Sequence, residues 1–268
     1  MNENTNQLIG VTANGVPYLA IPGPDDAPVV VAWHLLDPPR TEAAMAAALP
    51  LDGLDAHRIY LGLPMSGSRS LPGGPDGIFG LLAQDAPGLV HGPIWTQAVD
   101  EFPAAFAEIR EAIGVHQDAA VGLVGGSMGS AVAAGVLAAG TSGARAAVLV
   151  SPMMQLRTLI DTMAPMFGGY TWTPEAEAFA ARMDFVARAP EVAASGAAIR
   201  IVAGADDDAA AFLEPARAFA QATGAELHLV DGLGHALAEE PGVEPAPQTA
   251  GARRVDALAA EWLRTHLG

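Results

Sequence analysis

The chain of 268 residues contains no cysteine, and its thirteen basic residues are all arginine, with no lysine. The first absence removes disulfides, a thiolate nucleophile and cysteine-ligated zinc. The second removes a Walker-A lysine, a Schiff base to pyridoxal phosphate and a lysine-dependent aldolase. Positive charge of any kind is scarce: thirteen Lys and Arg face thirty Asp and Glu, for a formal net charge of −17. Such a surface repels a nucleic-acid backbone and an anionic membrane, so neither is expected as a partner. No stretch is long and apolar enough to span a bilayer once its Gly, Pro and charges are counted. Met1–Gly10 lacks the basic and apolar regions of a secretion signal. A cytoplasmic protein is the expectation. Spaced His, Asp and Glu of the kind that hold a metal are also missing, so neither metal nor cofactor is expected.

What the chain does have is apolar residues, at 51%, much of it alanine and glycine. That is enough for a substantial core built from small side chains, and the length suits one large domain over 1–268. Runs typical of strands fall at Leu8–Thr12, Val16–Ile21, Val29–Trp33, Arg58–Leu63, Ala119–Val124, Ala146–Val150, Ile199–Ala203 and Glu226–Val230. The Val29–Trp33 run is apolar throughout, as in a strand buried on both faces. Helical patterns fall at Thr41–Leu49, Ile94–Ile113, Ser130–Ala139, Ala209–Thr223 and Arg253–Leu267. Thr41 is a candidate N-cap. Pro103 inside the second pattern predicts a kink or a late start. Pro64–Pro93, with repeated Gly and Pro, reads as a long loop of the kind that is functional or mobile. Met153–Ala194 is helical in composition but broken, and it is the one candidate insertion. Strands alternating with helices predict a mostly parallel, doubly wound α/β sheet.

One stretch concentrates the chemistry. The apolar run Ala119–Val124 leads directly into Gly125-Gly126-Ser127-Met128-Gly129 and then into an alanine-rich helix. A serine between glycines at a strand-to-helix turn is the setting of a nucleophile elbow. The glycines are needed because the backbone approaches too closely for a Cβ. Ser127 also stands at a helix N-terminus, where free N–H groups can meet a developing oxyanion. Two further strand ends carry reactive groups, Asp206-Asp207-Asp208 and His235. Loops at the carboxyl ends of parallel strands converge on one crevice. A serine hydroxyl needs a base, imidazole suits neutral pH, and a buried carboxylate fixes the imidazole's tautomer.

With Ser127, an aspartate and His235 in that order, the chain resembles the α/β-hydrolase family, in particular its serine carboxylesterases, from Val16 to the last helix. The resemblance implies an eight-stranded, mostly parallel sheet flanked by helices, with the nucleophile after strand five and a small helical lid after strand six. It implies the acid after strand seven, three residues beyond a strand-end glycine, which selects Asp207 over Asp206 and Asp208. The histidine follows strand eight. It also implies an oxyanion hole made by the N–H of Met128 and one from the turn after strand three. That turn reads His34-Leu35-Leu36 where the family has His-Gly, so Leu36 is favoured and Leu35 stays open. Ser130 stands where the family often has a glycine.

The other readings stand beside these. The aspartates also suit a helix N-cap. His34 suits a structural role at its turn, and His57, His91, His116, His228 and His266 have no partner pattern and read as surface or packing. Met153, Met154, Met163, Met166, Phe167, Tyr170 and Trp172 suit either helix core or a flexible apolar lid at 153–194. On the lid reading, Leu35, Met153, Met154, Met163 and Phe167 contact substrate. The expected reaction is hydrolysis of a small-molecule ester with a small or apolar acyl group. Thioesterase, lactonase and cofactor-free perhydrolase chemistry are alternatives, as are a lyase on the same scaffold and a catalytically silent ligand-binding protein. Arg69 and Arg157 are the arginines to inspect for a phosphate site. Assembly into a homo-oligomer is left open.

Overall fold

A computed structural model describes residues 7–268, without the side chains of Pro75, Asp76 and Phe167. Residues 1–6 of the amino-terminal stretch considered above lie outside it. Eight strands form one sheet: β1 (Leu8–Val11), β2 (Pro17–Ile21), β3 (Val29–Trp33), β4 (His57–Leu61), β5 (Val121–Gly126), β6 (Ala144–Val150), β7 (Ala198–Gly204) and β8 (Glu226–Val230), in the order β1-β2-β4-β3-β5-β6-β7-β8. β2 runs antiparallel to both its neighbours, and every pair from β4 to β8 is parallel. This is the mostly parallel α/β-hydrolase sheet.

β3 is buried along its whole length because helices cover both faces. Val29, Val31 and Trp33 point into one core, and Val30 and Ala32 into the other. The first core is closed by α3 (Gly92–Ala112), α4 (Met128–Ala139), α5 (Leu156–Met163), α7 (Ala189–Ala193) and α8 (Glu214–Thr223), and the second by α1 (Glu42–Ala48) and α9 (Ala250–Leu267). Thr41 caps α1 by accepting from the Ala44 N–H at 3.1 Å. α3 starts two residues before the expected helix and runs through Pro103, so no late start occurs. The helix expected over Ala209–Thr223 divides into a π turn at Ala209–Leu213 and α8. Among the described residues no helix is long and apolar enough to cross a membrane.

Two stretches depart from the sequence reading. Pro64–Pro93 is not a loop: it holds a 3₁₀ turn at Gly67–Arg69, helix α2 (Pro75–Asp85) and a π turn at Ala86–His91. Gly77 and Gly80 lower the helix propensity of α2 and hide it. Gly77 is there for space, since a Cβ would lie 2.7 Å from the Pro72 carbonyl oxygen. Within 153–194, α5 and a 3₁₀ turn at Ala164–Phe167 cover the site, α6 (Pro174–Arg182) packs beside α5, and Met183, Phe185, Ala189 and Val192 are buried in the main core.

The corner between β5 and α4 is set by backbone contact. Ser127 has φ 47° and ψ −108°, a strained conformation for a residue with a side chain. A Cβ on Gly125 would lie 2.2 Å from the Gly129 carbonyl oxygen, and one on Gly129 would lie 2.5 Å from that of Trp33. Ser130 Oγ lies 2.5 Å from the Gly125 carbonyl oxygen and 3.1 Å from that of Val150, bracing the corner where the family often has glycine.

Three histidines are buried in the neutral form. His34 has both ring nitrogens engaged: Nδ1–H donates to the Leu35 carbonyl at 2.6 Å and Nε2 accepts from the Leu63 N–H at 3.0 Å. Burial pushes its pKa down to about 4 and also lowers those of His57 and His91.

An unfolded imidazole takes up a proton near pH 6.5. Stability is therefore full above that pH and falls as pH drops from 6.5 to 4, where His34 alone removes roughly 3 kcal/mol. Urea midpoints measured between pH 7.5 and 4 check this, and a midpoint that stays flat down to pH 5 contradicts it. Gly125→Ala should cost more than about 3 kcal/mol by overpacking. Gly80→Ala, in open space on α2, should gain about 0.5–1 kcal/mol in the same unfolding assay.

Candidate active site

Three loops at the carboxyl ends of β5, β7 and β8 meet at one point. Ser127 Oγ lies 2.8 Å from His235 Nε2, and His235 Nδ1 lies 2.8 Å from Asp207 Oδ2. The Asp207 carboxylate only accepts, so Nδ1 carries the proton and Nε2 accepts from the serine hydroxyl. Asp207 is held from behind as well, with Oδ1 accepting from the Asp208 N–H at 2.8 Å. Its side chain is only 2% exposed, which removes competing water. Gly204 makes this approach of β7 to the His235 loop feasible, since a Cβ there would lie 2.1 Å from the Leu233 carbonyl oxygen. The Phe212 ring packs on the imidazole with centroids 3.9 Å apart.

The other aspartates have separate positions. Asp208 Oδ1 accepts from the Ala211 N–H at 2.8 Å and caps the turn at Ala209. Asp206 lines the cavity and makes no hydrogen bond to His235 among the described residues. Asp37, which the sequence did not single out, brings a carboxylate oxygen to 3.7 Å from His235 Nε2.

Above Ser127, two backbone N–H groups are unused. Met128 is the first residue of α4, and neither its N–H nor that of Leu36 has an acceptor among the described residues. The Leu35 N–H donates to the Pro39 carbonyl at 3.1 Å, which leaves it no part in an oxyanion hole.

Ser127, Met128, Leu36 and His235 open into a cavity of about 760 Å³. Its walls are apolar: Ile78, Phe79 and Leu82 of α2 on one side, Leu159, Ile160 and Met163 of α5 on the other, with Met153 between the strand ends. Tyr170 ties the two covering segments together by donating its hydroxyl to Asp85 Oδ1 at 2.6 Å. Burial and that carboxylate push the phenol pKa up.

Of the expected substrate contacts, Met153 and Met163 line the cavity, and the side chain of Phe167 lies outside the described structure. Leu35 and Met154 do not line it. Both are fully buried: Leu35 packs in the second core, where a Cβ on Gly126 would lie 2.2 Å from its Cδ1, and Met154 packs in the first. Arg69 is paired with Glu101 at 2.8 Å and Arg157 with Asp161 and Glu177. Arg40 lines the cavity but is bound to Glu240 at 2.6 Å. The sequence reading missed His91, a buried residue of the cavity wall, and the α2 wall itself. A signal for α2 existed in Gly74-Pro75 followed by apolar residues at 78, 79, 81 and 82.

A family model described as serine hydrolase matches residues 97–251, more than half of the chain. Among curated proteins no sequence is similar enough to match. Similar solved structures include TT1662 from Thermus thermophilus, at 17% identity and TM-score 0.65, covering 96% of this chain and 98% of that one. Est1E from Butyrivibrio proteoclasticus is similar at 12% identity and TM-score 0.61, covering 97% and 98%. The esterase Pf2001 from Pyrococcus furiosus is similar at 14% identity and TM-score 0.56, covering 98% and 92%. At these identities the structural likeness speaks for the fold. The family match carries the assignment: the chain belongs to the serine hydrolase family and has the α/β-hydrolase fold.

Proposed function

We propose that the protein hydrolyses carboxylic esters of small or apolar acyl groups through an acyl-enzyme on Ser127. The reading rests on the unbroken chain of 2.8 Å contacts from Ser127 Oγ through His235 to Asp207, at the floor of an apolar cavity. His235 Nε2 takes the hydroxyl proton as Ser127 attacks the carbonyl carbon. Charge develops on the carbonyl oxygen, and the unused N–H groups of Met128 and Leu36 are the donors for it. Asp207 keeps the proton of the neutral ring on Nδ1 and stabilises the imidazolium. His235 then protonates the leaving alcohol and activates the water that releases the acid. None of these steps uses a metal or a cofactor.

The apolar walls favour acyl chains over sugars. Arg40, Arg69 and Arg157 are all paired with carboxylates, and Arg40 is the one arginine lining the cavity among the described residues, so no unpaired guanidinium there favours a phosphate. The esterase activity named for the Pyrococcus furiosus protein agrees with this reading.

A fluorophosphonate probe should label the wild-type protein and leave Ser127→Ala unlabelled. Folded wild type that resists the probe would instead be a silent ligand-binding protein. On p-nitrophenyl esters of increasing chain length, Ser127→Ala should lose on the order of 10⁴-fold or more in kcat. Asp207→Asn should lose about 10³–10⁴-fold, and Asp206→Asn should stay within about threefold, since its carboxylate lines the cavity without a hydrogen bond to His235. Equal losses in the two aspartate variants would overturn the assignment of the acid. A thioester and an amide assayed beside the esters test the bond preference.

A further inference from the structure

His91 is the one imidazole besides His235 that lines the cavity among the described residues. It ends the π turn Ala86–His91, and its Nδ1 lies 3.0 Å from the carbonyl oxygen of Ala86 at the start of that turn. A carbonyl can only accept, so the ring proton sits on Nδ1 and the lone pair sits on Nε2. His34 has its proton fixed in the same way, but its Nε2 is occupied by the Leu63 N–H. His91 Nε2 has no partner among the described residues and is not sealed from solvent, although the residue as a whole is buried. Burial lowers its pKa and keeps the ring neutral. The Asp37 carboxylate lies within electrostatic reach of this ring and 3.7 Å from His235 Nε2.

A fixed imidazole lone pair and a carboxylate thus stand at a cavity whose α2 and α5 walls are apolar. The other charged groups lining it are Arg40, which is paired with Glu240, and Asp206, Asp207, Asp208 and Glu244. An acceptor that a bound apolar ligand cuts off from water costs free energy, and a hydroxyl on the ligand removes that cost. We infer that His91 is a specificity-determining residue whose Nε2 accepts a hydrogen bond from a hydroxyl on the substrate, making hydroxylated esters the preferred substrate class. This rests on the ester reading above and narrows it. The acceptors turn away an anionic group at the same place.

The test compares methyl butyrate with methyl 2-hydroxybutyrate, methyl 3-hydroxybutyrate and 2-hydroxyethyl butyrate, following acid release at constant pH. For wild type, kcat/KM for at least one hydroxylated ester should exceed that for methyl butyrate. His91→Phe, which keeps the bulk and removes the acceptor, should lower that ratio about tenfold or more. His91→Gln, which keeps an acceptor oxygen, should retain more of the ratio. A merely structural role would lower all four rates together and leave the ratio as it was, and that result would overturn the inference alone. Turnover of none of the esters by folded wild type would sink the ester reading and this inference with it. Failure of both variants to fold would make His91 part of the scaffold, and that also overturns it.

Discussion

The rest of the structure depends on one backbone contact. Gly129, in the first turn of α4, sits against the carbonyl oxygens of Trp33 and His34, at distances where a Cβ would be 2.5 and 2.7 Å away. That approach joins the end of β3 to the start of the helix after β5. It brings the unused N–H groups of Leu36 and Met128 to the same cavity as Ser127. It requires glycine at 125 and 129 and a left-handed φ at Ser127, and the tight packing of two parallel strands holds that strain. His34 braces the other side of the contact by bridging the Leu35 carbonyl and the Leu63 N–H. A residue near the reacting groups is thereby explained as part of the frame.

Electrostatically, the site is rich in acceptors. Asp207 is buried and fully engaged, while Asp37 stands by the outer nitrogen of His235 and Asp206, Asp208 and Glu244 line the cavity. The one arginine in the wall among the described residues is neutralised by Glu240. With a net charge of −17 behind it, the cavity carries an electrostatic bias against anionic ligands. The apolar covering segments, tied by Tyr170 and Asp85, decide the size of what fits.

Local signals were legible where one residue type dominates one environment. The buried strand Val29–Trp33 is apolar in every position and has the expected limits, and β8 has its expected limits as well. The corner at Ser127 was legible because close backbone approach leaves only glycine as a solution. Helix α2 was not, because Gly77 serves close packing against Pro72 and Gly80 further lowers propensity, and its role as a cavity wall is a tertiary fact. Leu35 and Met154 read like substrate contacts, yet neighbouring residues in an extended turn point to opposite sides, and these two point into the cores. His91 has no spacing pattern of its own. Its significance comes from the π turn that fixes its proton and from the cavity on its other side.

By itself, the amino-acid sequence determined the alternation of strands and helices, the serine corner and the classes of chemistry that a chain without cysteine or lysine cannot perform. Those follow from local periodicity, steric necessity and the presence or absence of functional groups, none of which needs neighbours distant in the chain. The tertiary structure alone decided which of three adjacent aspartates meets His235, which leucine N–H is free and which side chains face the cavity. Adjacent residues differ little in composition or pattern, and only the direction in which the packed backbone turns each one separates them.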